Sequence, residues 1–266
     1  MTVPEVLTSQ SNPRVKAAVR LRDRREREAT GLTIVDGVRE LGRALDAGIE
    51  VVEAFVADAA VSTDEARDVI GRLAGTVGLT QVSEPVLEKI AFGDRSDGIV
   101  AIVRTPPTDL ARLDLPPEPL LVVIEAVEKP GNLGAILRSA DGAGVDAVIA
   151  ADPRTDLFNP NAIRASLGTI FALPVAAGTS AEVRAWLDER GIAVLAARVG
   201  SSVAYTQADL RGAIALVLGS EADGLTEAWT GDGVTSIALP MHGIADSLNV
   251  SITAAVLLYE AGRQRA

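Results

Sequence analysis

From residue 120 onward, apolar residues gather in short unbroken runs of strand length, each followed by a stretch with helical spacing. The pattern predicts strand 120–126, helix 132–142, strand 145–150, helix 160–168, strand 171–176, helix 180–190 and strand 192–197. Strand 213–218, a short helix from Gly224, strand 234–239 and a last helix 247–262 complete it. Strands without polar alternation are those of a parallel sheet buried on both faces, and alternating strands and helices supply the cover. The last helix is apolar nearly all round, which predicts burial on every side.

Before residue 105 the same pattern is smaller and more polar. It predicts helix 15–28, strand 33–35, helix 38–47 ended by Gly48, strand 51–56, helix 63–74 and a closing strand 99–103. Between the halves stand Pro106, Pro107, Pro116, Pro117 and Pro119, five prolines in fourteen residues, which excludes regular helix and central strand. The chain therefore reads as an α/β protein with a smaller domain 1–105, a Pro-rich linker 106–118 and a larger domain 119–266. In parallel sheets of this kind, ligands bind outside the carboxyl ends of the strands.

Composition narrows the chemistry. The 266 residues include no cysteine and one histidine, His242. Disulfides, thiolate metal sites and a cysteine nucleophile are excluded, and neither a histidine metal site nor a Ser-His triad is expected. No metal site is expected. No run of about eighteen apolar residues occurs and the first residues lack a signal-peptide core, so a cytoplasmic protein away from membranes is expected. The net charge is −11, but residues 14–43 carry nine Lys or Arg against five acids. A local basic stripe binds phosphate even on an acidic molecule, because screening limits distant charge to about 8–10 Å. The bland alternative for this stripe is a solvated helix face.

Three loops at predicted strand ends carry candidate chemistry. The first is Glu128-Lys129-Pro130-Gly131-Asn132-Leu133-Gly134-Ala135-Ile136-Leu137-Arg138, in which Asn132 is a candidate helix cap. Arg138 lies six residues further on, at an angle well apart from Asn132. The spacing fits neither a dinucleotide fingerprint nor a phosphate-binding P-loop. The second is Leu218-Gly219-Ser220-Glu221-Ala222-Asp223-Gly224-Leu225, a glycine turn with acids that also suit a helix dipole. The third runs from Leu239-Pro240-Met241-His242-Gly243 to Ser247-Leu248-Asn249-Val250-Ser251, with Ser247 a candidate N-cap.

In order, spacing and setting these loops resemble the motifs of the SpoU/TrmH branch of the SPOUT RNA methyltransferases: Asn-x-Gly-x-x-x-Arg, Leu-Gly-x-Glu-x-x-Gly-Leu and Pro-Met-x-Gly…Ser-Leu-Asn-Val-Ser. Ser11-Asn12-Pro13-Arg14-Val15-Lys16 and Asp97-Gly98-Ile99-Val100-Ala101 resemble the ribosomal-protein-like substrate-binding domain common in that branch. The resemblance implies a C-terminal SPOUT domain with a trefoil knot, a rare exception to unknotted topology. It implies methyl transfer from S-adenosylmethionine to a ribose 2′-hydroxyl of structured RNA, by a homodimer whose site a second subunit completes. Leu218, Gly219, Leu239, Met241 and Leu248 would hold the cofactor. Arg138 would bind a substrate phosphate and stabilise the developing alkoxide, with Asn132, Glu221, Ser247 and Asn249 fixing arginine, loop and ribose. Arg14, Lys16, Arg20, Arg22, Arg24 and Arg25 would face RNA. Leu248, Ile252, Ala255, Val256 and Tyr259 form a stripe that asks for a partner surface. Ribosomal RNA is preferred over transfer RNA because of the N-terminal domain. A non-catalytic ribosome-assembly factor and a nucleotide-dependent α/β enzyme are the rival readings; the second lacks its glycine fingerprint.

Overall fold

A computed structural model describes residues 6–92, 97–220 and 223–266. By its contacts the chain forms two units, Met1–Pro106 with Phe158–Ala172, and Pro107–Leu157 with Leu173–Ala266.

The first unit opens with α1 (Pro13–Arg20), whose start is fixed by Pro13 and by Asn12 capping the Arg14 N–H. It continues through α2 (Arg24–Thr30), β1 (Leu32–Asp36), α3 (Val38–Asp46), β2 (Val51–Val56), α4 (Asp64–Ala74), β3 (Leu79–Gln81), α5 (Glu84–Ile90) and β4 (Ile99–Arg104). The strands form one sheet in the order β1-β4-β2-β3. Its core gathers Val15, Ile34, Phe55, Leu87, Ile90 and Val100. The single helix expected over 15–28 is broken at 21–23, where Asp23 caps a new helix. Strand β3 and helix α5 have no counterpart in the sequence reading; they are short, and Ser83-Glu84-Pro85 at the head of α5 is a helix-start signal.

The second unit begins with β5 (Leu120–Glu125), α6 (Pro130–Ala143) and β6 (Ala147–Ala151). The chain then leaves it: α7 (Pro160–Ala165) and α8 (Thr169–Ala172) belong to the first unit. There the Thr33 hydroxyl donates to the Phe158 carbonyl at 2.8 Å and Arg43 donates to the Leu167 carbonyl at 2.7 Å. Arg164 lies 3.3 Å from the buried Asp36 carboxylate. Gly168, at φ +81°, packs so closely that a Cβ would stand 2.8 Å from Cα of Glu40. An uninterrupted domain 119–266 does not contain this excursion. It also replaces the start of the strand expected over 171–176: Phe171 is helical and stacks on Phe158, with ring centroids 6.0 Å apart. A short apolar run does not by itself separate a buried strand from a buried helical turn.

The second unit resumes with β7 (Val175–Gly178), α9 (Ser180–Glu189), β8 (Ala193–Ala197), β9 (Ile214–Leu218), β10 (Val234–Ile237) and α10 (Val250–Arg265). All six strands pair in parallel in the order β10-β8-β9-β5-β6-β7. Every residue of β5, β6 and β9 is buried. The proline-rich segment is part of this unit: Thr108 accepts from the Ala177 N–H at 2.8 Å, and Leu110, Leu113 and Leu115 pack on the core. Leucines interleaved with the prolines explain why it does not stand off as a free spacer. The short helix expected from Gly224 is a 3-10 turn, Glu227–Trp229.

Helix α10 differs from expectation in two ways. It starts three residues later, capped by Asn249 rather than Ser247. It is buried on one side only, by Val250, Ala254, Leu257, Leu258 and Ala261, and packs on α6 and β9. Leu248, Ile252 and Tyr259 stay exposed within the single chain, while Ala255 and Val256 are half-buried.

Candidate functional site

The site lies at the carboxyl ends of β5, β8, β9 and β10, where the strand order turns. The chain leaving β5 goes to β6 on one side, and the chain leaving β9 goes to β10 on the other. Strand ends that part this way leave the crevice in which parallel sheets take ligands. After β10 the chain returns across this edge to reach α10.

A cavity of about 450 Å³ fills that crevice, a size ordinary for small-molecule sites. Its wall contains Leu218, Gly219, Leu239, Met241 and Leu248, all five residues expected to hold a cofactor, together with Ser247, Val250 and Thr253. Apolar side chains and loop backbone share the wall with the charged residues Arg198, Asp223 and Asp246, which suits a flat group that also carries polar substituents.

Local geometry fixes the loops. Gly219 follows β9 and meets Gly224 across the turn: a Cβ on Gly219 would overlap the Gly224 carbonyl and stand 2.5 Å from the Leu225 nitrogen. Gly224 itself has φ +68°, a conformation that favours glycine. Ser220 closes the turn, its hydroxyl accepting from the Asp223 N–H at 3.0 Å. Ala126 (φ +52°) and Asp152 (φ +46°) turn the chain sharply after β5 and β6. Arg154 bridges two of the loops, pairing with Glu128 and, at 3.3 Å, with Asp223.

Asn132 is not the cap of α6. Lys129 occupies that position with Pro130 next, and Asn132 stands in the first turn. There its Oδ1 accepts from Asn249 Nδ2 at 3.3 Å, while Asn249 Oδ1 accepts from the Ser251 N–H and hydroxyl at 3.0 and 2.6 Å. The two asparagines thus join the first turns of α6 and α10. A second, smaller cavity of about 90 Å³ is lined by Asn132, Gly219, Ser220, Glu125 and Val250.

Arg138 stands apart from this group. It is exposed on α6, lines neither cavity, and no side chain pairs with it among the described residues. His242 is exposed. Glu221 and Ala222 lie outside the described residues.

The basic stripe of the first unit is less free than its count implies. Arg14 pairs with Glu53, Arg20 with Glu26 and Arg24 with Glu28. Arg22 donates to the carbonyls of Lys89 and Ala91 and lies over the Phe92 ring. Arg27 is buried, donating to the carbonyls of Leu21 and Arg22 at 2.8 Å each. Lys16 and Arg25 remain exposed without a side-chain partner among the described residues.

Four residues escape the sequence reading: Glu125, Ser180, Thr226 and Arg198. Glu125 is 1% exposed and accepts from Ser180 and Thr226; Arg198 holds carbonyls of the segment after the second loop. The available signal was a carboxylate ending an otherwise apolar strand.

Residues 119–259 match the SpoU rRNA Methylase family, and residues 12–101 match the MRM3-like substrate binding domain. A 23S rRNA (uridine(2479)-2′-O)-methyltransferase of Streptomyces viridochromogenes is 30% identical over 257 residues, covering 92% of this chain and 87% of that protein. A crystal structure of an RNA 2′-O ribose methyltransferase superposes with a TM-score of 0.86 at 40% identity, covering 98% of this chain and 99% of the other. An AdoMet-bound rRNA methyltransferase from Sinorhizobium meliloti superposes with a TM-score of 0.87 at 28% identity and 97% coverage of both chains.

Proposed function

The chain belongs to the SpoU rRNA Methylase family, and from that premise we propose that it transfers the methyl group of S-adenosylmethionine to a ribose 2′-hydroxyl of ribosomal RNA. The observation that carries this reading is the common wall formed by Leu218, Gly219, Leu239, Met241 and Leu248 around one cavity at the strand ends.

The residues present suit this cofactor. A Cβ on Gly219 has no room, so backbone forms the cradle there, and leucines and Met241 offer apolar contact for a flat base. When bound, the sulfonium supplies an already activated methyl group. What remains for the protein is alignment and electrostatics. Asn132 and Asn249, joined to each other, hold the first turns of α6 and α10 in register beside the cavity. Ser247, on the cavity wall, offers a hydroxyl toward the ribose.

Arg138 provides five N–H donors and a fixed positive charge. In this reading it holds a substrate phosphate and stabilises the negative charge developing on the 2′-oxygen. Its exposed position suits completion of the site by a second copy. The exposed Leu248, Ile252 and Tyr259 offer the apolar surface for that homodimer. A knotted path through the loops after β9 and β10 belongs to the same reading, as does a cytoplasmic location; no helix among the described residues is long and apolar enough to cross a membrane. The first unit docks RNA through Lys16 and Arg25, with the paired Arg14, Arg20 and Arg24 able to exchange carboxylates for phosphates.

The test is transfer of labelled methyl groups to purified ribosomal RNA, with transfer RNA in parallel. Label on ribose of ribosomal RNA is expected. Arg138→Ala is expected to lower transfer at least about a hundredfold with S-adenosylmethionine affinity unchanged. Label on transfer RNA alone would reassign the substrate, and retained activity in the variant would displace Arg138 from the reaction.

A further inference from the structure

Thr226, the residue after the Gly219–Leu225 loop, is gripped from both strands that flank β9. From β5, Glu125 Oε2 accepts from the Thr226 N–H at 2.8 Å, and Oε1 accepts from the Thr226 hydroxyl at 2.6 Å and from the Ser180 hydroxyl at 2.8 Å. From the end of β8, Arg198 Nη2 donates to the Thr226 carbonyl at 2.8 Å and to the Trp229 carbonyl at 3.3 Å, while Nη1 donates to the Leu225 carbonyl at 3.1 Å. The backbone N–H, the hydroxyl and the carbonyl of one residue are thus all held by charged groups. Charge-assisted bonds of this kind are stronger and more directional than neutral ones.

The two side chains differ in setting. Glu125 is 1% exposed, and Arg198 is half-buried on the wall of the larger cavity. Burying a carboxylate is costly unless its hydrogen bonds are made, and here they are made to the exit of the loop. Leu225 and Trp229 on either side are already anchored in the core, so the segment does not need this grip to stay packed. What the grip adds is the exact height of Thr226, two residues from Gly224. Gly224 in turn abuts Gly219, with no space for a methyl group between them. A shift at Thr226 therefore passes by backbone contact to Gly219, which lines both cavities.

We propose that Glu125 and Arg198 are positioning residues for the cofactor, clamping Thr226 so that Gly219 and Gly224 keep the close backbone contact that shapes the wall binding S-adenosylmethionine. This rests on the reading of the larger cavity as the S-adenosylmethionine site. Neither residue belongs to the three sequence motifs, and neither needs to touch the methyl group to act.

The test uses the full chain. Thr226 is exposed, so Thr226→Val removes the hydroxyl bond to Glu125, and with it the 3.4 Å bond accepted from the Ala228 N–H, without disturbing the core, and Thr226→Ser keeps both. Dissociation constants for S-adenosylmethionine are measured by calorimetry, and initial rates are measured with ribosomal RNA. Thr226→Val is expected to raise both Kd and KM for S-adenosylmethionine about 5- to 10-fold, with kcat at saturating cofactor and the affinity for RNA within about twofold. Thr226→Ser is expected to match the wild type. Glu125→Gln, which weakens both bonds to Thr226, is expected to raise Kd at least as far. An unchanged Kd in Thr226→Val, a fall in kcat at constant KM, or failure of Thr226→Ser to restore binding would overturn the proposal. A wild-type chain that binds no S-adenosylmethionine would instead remove the functional reading, and the proposal with it.

Discussion

Gly219 leaves no space for a side chain where β9 meets the cavity, because the Gly224 carbonyl occupies the position of a Cβ. Gly219→Ala must therefore open the turn, and overpacking of this kind costs about 1–3 kcal/mol. The cost falls on the loop rather than on the buried strand. We expect S-adenosylmethionine affinity to drop roughly ten- to hundredfold while the thermal midpoint moves by a few degrees at most; calorimetric titration beside a melting curve checks both. Gly219 was legible as a glycine turn closing an apolar strand, although its approach to Gly224 was not. Asn249 was legible as a small polar residue at the mouth of an apolar helix. Glu125 and Thr226 were not. Their partnership spans 101 residues, and no local pattern announces which carboxylate at the end of an apolar strand will turn inward to meet a distant hydroxyl.

At the scale of elements, α3 carries a carboxylate in an unusual setting. Burial pushes the Glu40 carboxyl above its ordinary value; its own backbone N–H and the charges of Arg164 and Arg39 pull it back, and Asp97 adds to the rise. A raised value in the folded chain means that folding takes up a proton. Stability is then greatest below the ordinary glutamate value and declines as pH climbs through the raised one. Glu40→Gln is expected to remove that decline, so the melting temperature of the variant should gain on the wild type as pH climbs above the ordinary glutamate value. A constant difference across that range would reject the assignment. The strands and helices themselves were largely readable, because repeated unbroken apolar runs such as 120–124 and 214–218, each within an alternation with helical spacing, suit a covered parallel sheet. The failures were the short pieces. Phe171 and Ala172, read as the start of strand 171–176, become the end of helix α8 because the turn at Gly168 and the stack on Phe158 override local preference.

At the scale of the molecule, charge counts proved a coarse guide. Nine basic residues in the segment 14–43 suggest a cationic face, yet Arg22 and Arg27 spend their donors on backbone carbonyls of their own unit. Which arginines remain available depends on packing, and a sequence does not display packing. The apolar face of α10 raises a different matter. Ile252 is 52% exposed and Tyr259 59%, and the homodimer proposed here would cover them. Ile252→Glu would bury a carboxylate in that interface; sedimentation is expected to show a monomer, with methyl transfer reduced at least about tenfold. A variant that still dimerises would move the interface elsewhere. The excursion formed by α7 and α8 has a consequence for the history of the chain, both on the ribosome and in evolution. Synthesis releases residues 1–106 well before Phe158–Ala172, so the first unit waits, with the Thr33 hydroxyl and the Asp36 carboxylate short of their final partners, until about a third of the second has been made. Recombination meets the same obstacle: a crossover at the prolines would deliver a first unit without its closing helices, so the two halves are inherited as one interlaced piece rather than as interchangeable beads.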